Sequence, residues 1–212
     1  MIEISPAVLV NSEAEIEKEL LGYSKLFKQV DIDINVEGDD FAGDVTLDVK
    51  SVLEYCTKYS SLDYTFHLMV SEPLSLIELI LKEWSNAKFI IHQEANFEPV
   101  AEKLGAKNLG ICIKAESKLK DIEFYKQFKE VQLMTIVTGK QGNPFKKEIL
   151  DRVEWLRESG YQGIISLDGS INLNSAQLIR NYDVNRVSVG SFFSKAENIE
   201  LNKQKLELAL NL

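Results

Sequence analysis

Residues 163–172 read GIISLDGSIN, and a complete change of local structure lies within them. An apolar, β-branched run (Gly163 to Leu167) stops at Asp168, turns through Gly169 and Ser170, and reaches two asparagines, Asn172 and Asn174, either of which can cap the helical stretch that follows to Asn181. That is one strand–turn–helix unit with an acid at the strand end. Working outward, the same unit recurs. EISPAVLV precedes a helical period over Ser12 to Phe27, where Ser12 and Glu15 have the spacing of a capping box; QVDIDINV precedes Asp48 to Lys58; DYTFHLMV precedes Glu72 to Trp84. KFIIH then leads to Asn96–Leu104, NLGICIK to a weaker helix near Leu119–Phe128, VQLMTIV to Lys146–Ser159, and VNRVSVG to Ala196–Leu210. Eight strand–helix units in 212 residues predict a single (β/α)8 TIM barrel over residues 1–212, with no linker or low-complexity stretch to divide it. An open doubly wound sheet shares the alternation, but the even count of eight and the lack of a glycine-rich fingerprint after the first strand favour the barrel.

Composition narrows the function. The chain is 45% hydrophobic and carries 24 basic against 33 acidic residues, a net charge of -9, which opposes binding to nucleic acid or an anionic membrane surface. Cys56 and Cys112 lie far apart in apolar runs and read as buried free thiols of a reducing compartment. No apolar run approaches the ~18 residues of a membrane span, and MIEISPAVLV has no basic start, so a cytoplasmic location is expected.

Side chains i and i+2 of a barrel strand share a face. In Val30-Asp31-Ile32-Asp33-Ile34-Asn35 the apolar set suits the helix layer, which turns Asp31, Asp33 and Asn35 inward or toward the mouth. In the third strand Thr65, His67 and Met69 share the corresponding face. Asp168 is a third inward acid at a strand end. A core does not collect unpaired carboxylates without partners, a metal or water, and the C-terminal strand ends are where barrels build sites. His67 and His92 taken singly suit satisfied core histidines. Gly169-Ser170 after the seventh strand and Gly190-Ser191 after the eighth suit a phosphate-binding nest, and the loop from Thr138 to Phe145, with Gly139, Lys140 and Gly142, adds backbone donors, a cation and enough length for a lid.

ISPAVLV, TFHLMVSEP, LMTIVTGKQGNPF, SLDGSIN and VSVGSFF, in this order, resemble segments of the ribulose-phosphate 3-epimerases reading roughly ISPSILA, DVHLMIENP, VMTVNPGFGGQKF, EVDGGIN and VAGSAIF. The resemblance runs from Ile4 to about Phe193. It implies a ribulose-phosphate-binding barrel that epimerises C3 of a ketopentose 5-phosphate through an enediolate, interconverting D-ribulose 5-phosphate and D-xylulose 5-phosphate. Asp33 and Asp168 match the family's acid–base pair; two acids suit a reaction that removes a proton from one face and returns one to the other. His67, Met69, Gly139, Gly142, Gly169, Ser170, Gly190 and Ser191 match its substrate and phosphate positions. A divalent ion (manganese, iron(II), zinc or magnesium) is implied on Asp31, Asp33, His67 and Asp168, and so is a homo-oligomer. The departures are Ala7 for a substrate-contacting serine, Asp31 for a histidine ligand, DIDINVEG for HVDVMDG, TGKQG for PGFGG, Ser170 for a glycine and Lys114-Ala115 for Asn-Pro. They leave a non-catalytic or differently specific phosphosugar barrel as the second reading. Two further enzyme readings attach to single residues: Asp48-Val49-Lys50 shares part of a decarboxylase motif, though Leu53 stands where its last acid would be, and Lys114 could form a Schiff base.

Overall fold

A computed structural model describes residues 1–39, 41, 45–137 and 142–211. Gly139 and Lys140, both expected at the phosphate end of the site, lie outside the described residues.

Strands β1 (Glu3–Val8), β2 (Gln29–Ile34), β3 (Asp63–Leu68), β4 (Lys88–His92), β5 (Leu109–Ile113), β6 (Glu130–Met134), β7 (Ile164–Asp168) and β8 (Arg186–Val189) pair in parallel and in chain order, and β8 closes onto β1. The expected barrel is therefore the observed one. Helices α1 (Glu13–Tyr23), α2 (Val49–Lys58), α3 (Leu74–Glu83), α4 (Glu98–Leu104), α5 (Ile122–Tyr125), α6 (Leu150–Glu158), α7 (Leu173–Ile179), α8 (Ser191–Ser194) and α9 (Ile199–Asn211) follow the strands, the last two sharing the eighth position. Among the described residues no helix is long and apolar enough to cross a membrane.

Two faces of each strand have different fates. Val30, Ile32, Ile34, Phe66, Leu68, Ile111, Ile113, Leu133, Ile165, Leu167, Val187 and Val189 are buried in one apolar cluster with Ile16, Leu20, Val52, Ile77, Leu156 and Leu206 of the helices. Each such aliphatic side chain contributes roughly 1.5–3 kcal/mol by leaving water, so this layer carries most of the fold. Inside the barrel a second, small apolar cluster joins Ile90, Cys112 and Met134. Most of the other buried inward positions are polar: Ser5, Asp31, Thr65, His67, His92, Gln132, Ser166, Arg186 and Ser188.

Local signals set the helix starts. The Asn172 side chain accepts from the backbone of Asn174 and Ser175, and Ser175 answers with a bond from the Asn172 N–H, a complete capping box for α7. Ser12 does not form the expected box: its hydroxyl donates to the Glu15 carboxylate at 2.9 Å, and α1 starts without a side-chain cap. Asp48 caps α2 by accepting from Lys50 and Ser51, which accounts for an acid just ahead of that helix without any catalytic motif.

Candidate active site

Asp33 and His67 are paired across β2 and β3, and Asp168 closes β7, so three chemically active groups meet near the C-terminal mouth. His67 Nδ1 lies 3.1 Å from Asp33 Oδ1 and 3.6 Å from Asp168 Oδ2. One ligating atom from each of the three falls within 4.8 Å of the other two. Gln132, on β6, donates to Asp168 Oδ2 at 3.1 Å and sits 3.4 Å from His67 Nδ1. The opposite edge of the His67 ring meets His92, at the end of β4, with Nε2 to Nε2 at 2.9 Å.

The electrostatics follow from burial. Asp168 is pushed up to about 7, first by loss of water and then by the charge of Asp33, with His67 pulling the other way. Asp33 is raised too, by burial above all, with His67 opposing and Asp31 adding. Burial also works against charge on His67, but contacts with Cys112 and Asp33 outweigh it and leave the imidazole well above its ordinary value. His92 is held well below, by burial and by the neighbouring His67 and Lys114. The two rings therefore differ in basicity: His67 favours a proton and His92 resists one.

Asp31 is not part of this group. It lies one inward position deeper on β2, where Arg186 grips both of its oxygens at 2.6 Å and the hydroxyls of Ser5 and Ser188 donate to it. Arg186 also binds Glu130, which accepts from Ser166 as well, so β1, β2, β6, β7 and β8 are laced together in the barrel floor. An acid whose oxygens are so occupied cannot also reach toward the mouth, and the expected four-ligand cage reduces to Asp33, His67 and Asp168. Those three offer oxygen, nitrogen and oxygen from three strands at mutual distances a divalent ion can span. The unpartnered, buried Oε1 of Gln132 is a further polar atom on a side chain that touches both Asp168 and His67. The donor set fits a divalent ion.

The other expected residues take separate places around the mouth. Met69 follows β3, half-buried, its N–H bonded to Ile34. Gly169 has φ +116°, and a Cβ there would come within 2.8 Å of Ile136, so glycine is required directly after Asp168. Ser170 also has positive φ and ties its hydroxyl to the Asn143 carbonyl, joining the loops after β6 and β7. Gly190 and Ser191 follow β8, the neighbour of β7, so the two Gly-Ser turns stand on adjacent strand ends. Gly142 has φ +90° and is open to solvent, with no contact to the cluster recorded among the described residues. The Lys114 ammonium stacks over the Phe41 ring at 4.0 Å.

Sequence reading missed Gln132 and gave His92 no role. For Gln132 the signal was present: Val131 and Leu133 face the helices, so Gln132 must face in, by the alternation that located Asp33.

A closed parallel eight-stranded barrel with two raised acids against one imidazole at its C-terminal mouth places the chain among the (β/α)8 barrels with a polar site at the strand ends. Within that class the chain belongs to the ribulose-phosphate 3-epimerase family, whose profile it matches over residues 3–194. It is 27% identical over 209 residues to the ribulose-phosphate 3-epimerase of Schizosaccharomyces pombe, covering 93% of this chain and 89% of that protein. Identity to the enzyme of the same name from Chlamydia muridarum is 23% over 189 residues, 84% of this chain and 82% of the relative. Among solved structures, KGPDC from Streptococcus mutans superposes with a TM-score of 0.70 at 11% identity, covering 99% of this chain and 97% of that one. The 3-hexulose-6-phosphate synthase of Salmonella typhimurium gives 0.70 at 11% identity, with 99% and 98% covered. These two likenesses are of fold.

Proposed function

We propose that this protein is a ribulose-phosphate 3-epimerase-type isomerase, interconverting D-ribulose 5-phosphate and D-xylulose 5-phosphate with Asp33 and Asp168 as the acid–base pair. The observation that carries the reading is the meeting of two half-buried, raised carboxyl groups, from β2 and β7, on one nitrogen of His67. An acid near 7 can hold or release a proton at working pH, which a general acid–base needs. One carboxylate takes the C3 proton and the other, protonated, delivers one to the opposite face of the enediolate. His67, donating to Asp33, steadies that carboxylate's orientation, and Gln132 does the same for Asp168. A divalent ion, when held by Asp33, His67 and Asp168, supplies Lewis-acid polarisation of the sugar oxygens. The glycine turns after β7 and β8 are the phosphate end of this reading, with Gly169, Ser170, Gly190 and Ser191 offering backbone donors.

Two observations favour the second reading, a barrel of different specificity: Ala7 brings no hydroxyl, and Asp31 is committed to Arg186. The test is solvent-deuterium incorporation at C3 of ribulose 5-phosphate, followed by NMR on protein loaded in turn with manganese, iron(II), zinc and magnesium. Exchange that disappears in Asp168→Asn is the expected result. No exchange with any of the four ions, by folded protein that still binds the sugar phosphate, would leave the second reading standing.

A further inference from the structure

His67 belongs to two constellations at once. Its Nδ1 edge faces the acids. Its Nε2 edge meets His92 Nε2 at 2.9 Å, and with the Cys112 thiol these two imidazoles form a second group, one donor atom of each of the three residues lying within 4.8 Å of the others. The three residues come from consecutive strands, β3, β4 and β5, and His92 and Cys112 are register partners. All three are buried, at 1%, 1% and 0% exposure, and Cys112 is free. Around them lie Ile90 and Met134, which pack on Cys112, and the Phe41 ring, edge-on to His92 at 5.0 Å.

The geometry points to a second metal site, formed by His67 Nε2, His92 Nε2 and Cys112 Sγ, for a thiolate-seeking transition ion of the zinc class. Two imidazoles and a thiolate in an apolar setting select such an ion over magnesium or manganese, which prefer the oxygens on the other side of His67. Two nitrogens bound to one ion at ~2.0–2.1 Å in tetrahedral geometry stand roughly 3.3 Å apart, so loading opens the present histidine contact by only a few tenths of an ångström. The ion takes the place of the proton between the rings, and that proton and the thiol proton of Cys112 leave to solvent. His67 Nδ1 stays available to Asp33 and Asp168. The site shares His67 with the epimerase reading, but His92 and Cys112 have no part in that reading, so it can be occupied whether or not that reading holds.

Cobalt(II), a spectroscopic stand-in for zinc, tests it. Metal-free full-length protein titrated with cobalt(II) should develop a near-ultraviolet thiolate-to-cobalt charge-transfer absorption that zinc abolishes. The band should persist in Cys56→Ser and in Asp33→Asn, and be lost in Cys112→Ser and His92→Gln, with circular dichroism verifying that each variant is folded. Oxygen and nitrogen ligands give no such band, so the carboxylate cluster cannot imitate it. Cobalt bound by dialysis without the band, a band that survives Cys112→Ser, or no cobalt bound by Asp33→Asn would each overturn the assignment.

Discussion

The two faces of the same strands have opposite chemistry. Outward, β2 presents Val30, Ile32 and Ile34 to the helices; inward, it presents Asp31 and Asp33. β7 puts Ile165 and Leu167 outside and Ser166 and Asp168 inside, and β8 sets Val187 and Val189 against Arg186 and Ser188. The outer face follows from the hydrophobic effect and tolerates volume-conserving change. The inner face obeys a different rule, because each buried charge there depends on a named partner. Residue parity along a strand thus decides how a position fails: outward changes lose only packing, while inward changes strand a buried charge.

The largest expected separation is at Asp168. Asp168→Asn keeps the shape of the side chain and should lower C3 proton exchange by ~10²–10⁴, the usual contribution of a general acid–base group, while circular dichroism stays that of the wild type. Undiminished exchange in that variant would remove Asp168 from the chemistry. Next is the floor of the barrel. Arg186→Met leaves Asp31 and Glu130 buried without their cation and should cost about 3–5 kcal/mol in denaturant unfolding, against about 0.5–1.5 kcal/mol for Ile165→Val on the outer face. Equal losses at the two positions would contradict the division between faces.

Acidity sharpens the same comparison. The native Asp168 carboxyl holds its proton up to about 7, while an unfolded aspartate releases it near 3.8. The folded state therefore binds more protons across that window, and metal-free protein should lose stability as pH rises through it, by a few kcal/mol, with the lost stability complete above the folded value. Thermal melts at stepped pH measure the slope; Asp168→Asn should flatten it, and an unchanged slope would assign it elsewhere. The smallest effect lies outside the barrel altogether. Asp48→Ala removes the cap of α2 and should cost ~1 kcal/mol without altering proton exchange.

Alternation with period two, punctuated by glycine turns and capped helices, was legible without coordinates, and the eight strands fall where the apolar runs lie. Asp33, His67 and Asp168 were legible as inward-facing for the same reason. Depth was not: parity tells which face a side chain takes but not which level of the barrel it occupies, so Asp31 was expected beside Asp33 although Arg186 holds it below. That partner stands 155 residues away in the chain, and no local pattern connects them. His92 was read as a core histidine because its meaning lies in what it faces. Ser12 had the capping spacing, yet its hydroxyl found the Glu15 carboxylate before the helix backbone.

Arg186 is outnumbered in the floor, and this has a kinetic corollary. Asp31 and Glu130 share one guanidinium, and Asp33 and Asp168 stand above them against a single imidazole. With those acids ionised, the potential at the mouth is negative even when His67 carries its proton. On the proposed reading the substrate is a phosphorylated sugar, an anion that climbs that potential, whereas a divalent cation descends it. Loading should accordingly be ordered, cation before sugar, with the sugar's association rate rising as the cation site fills.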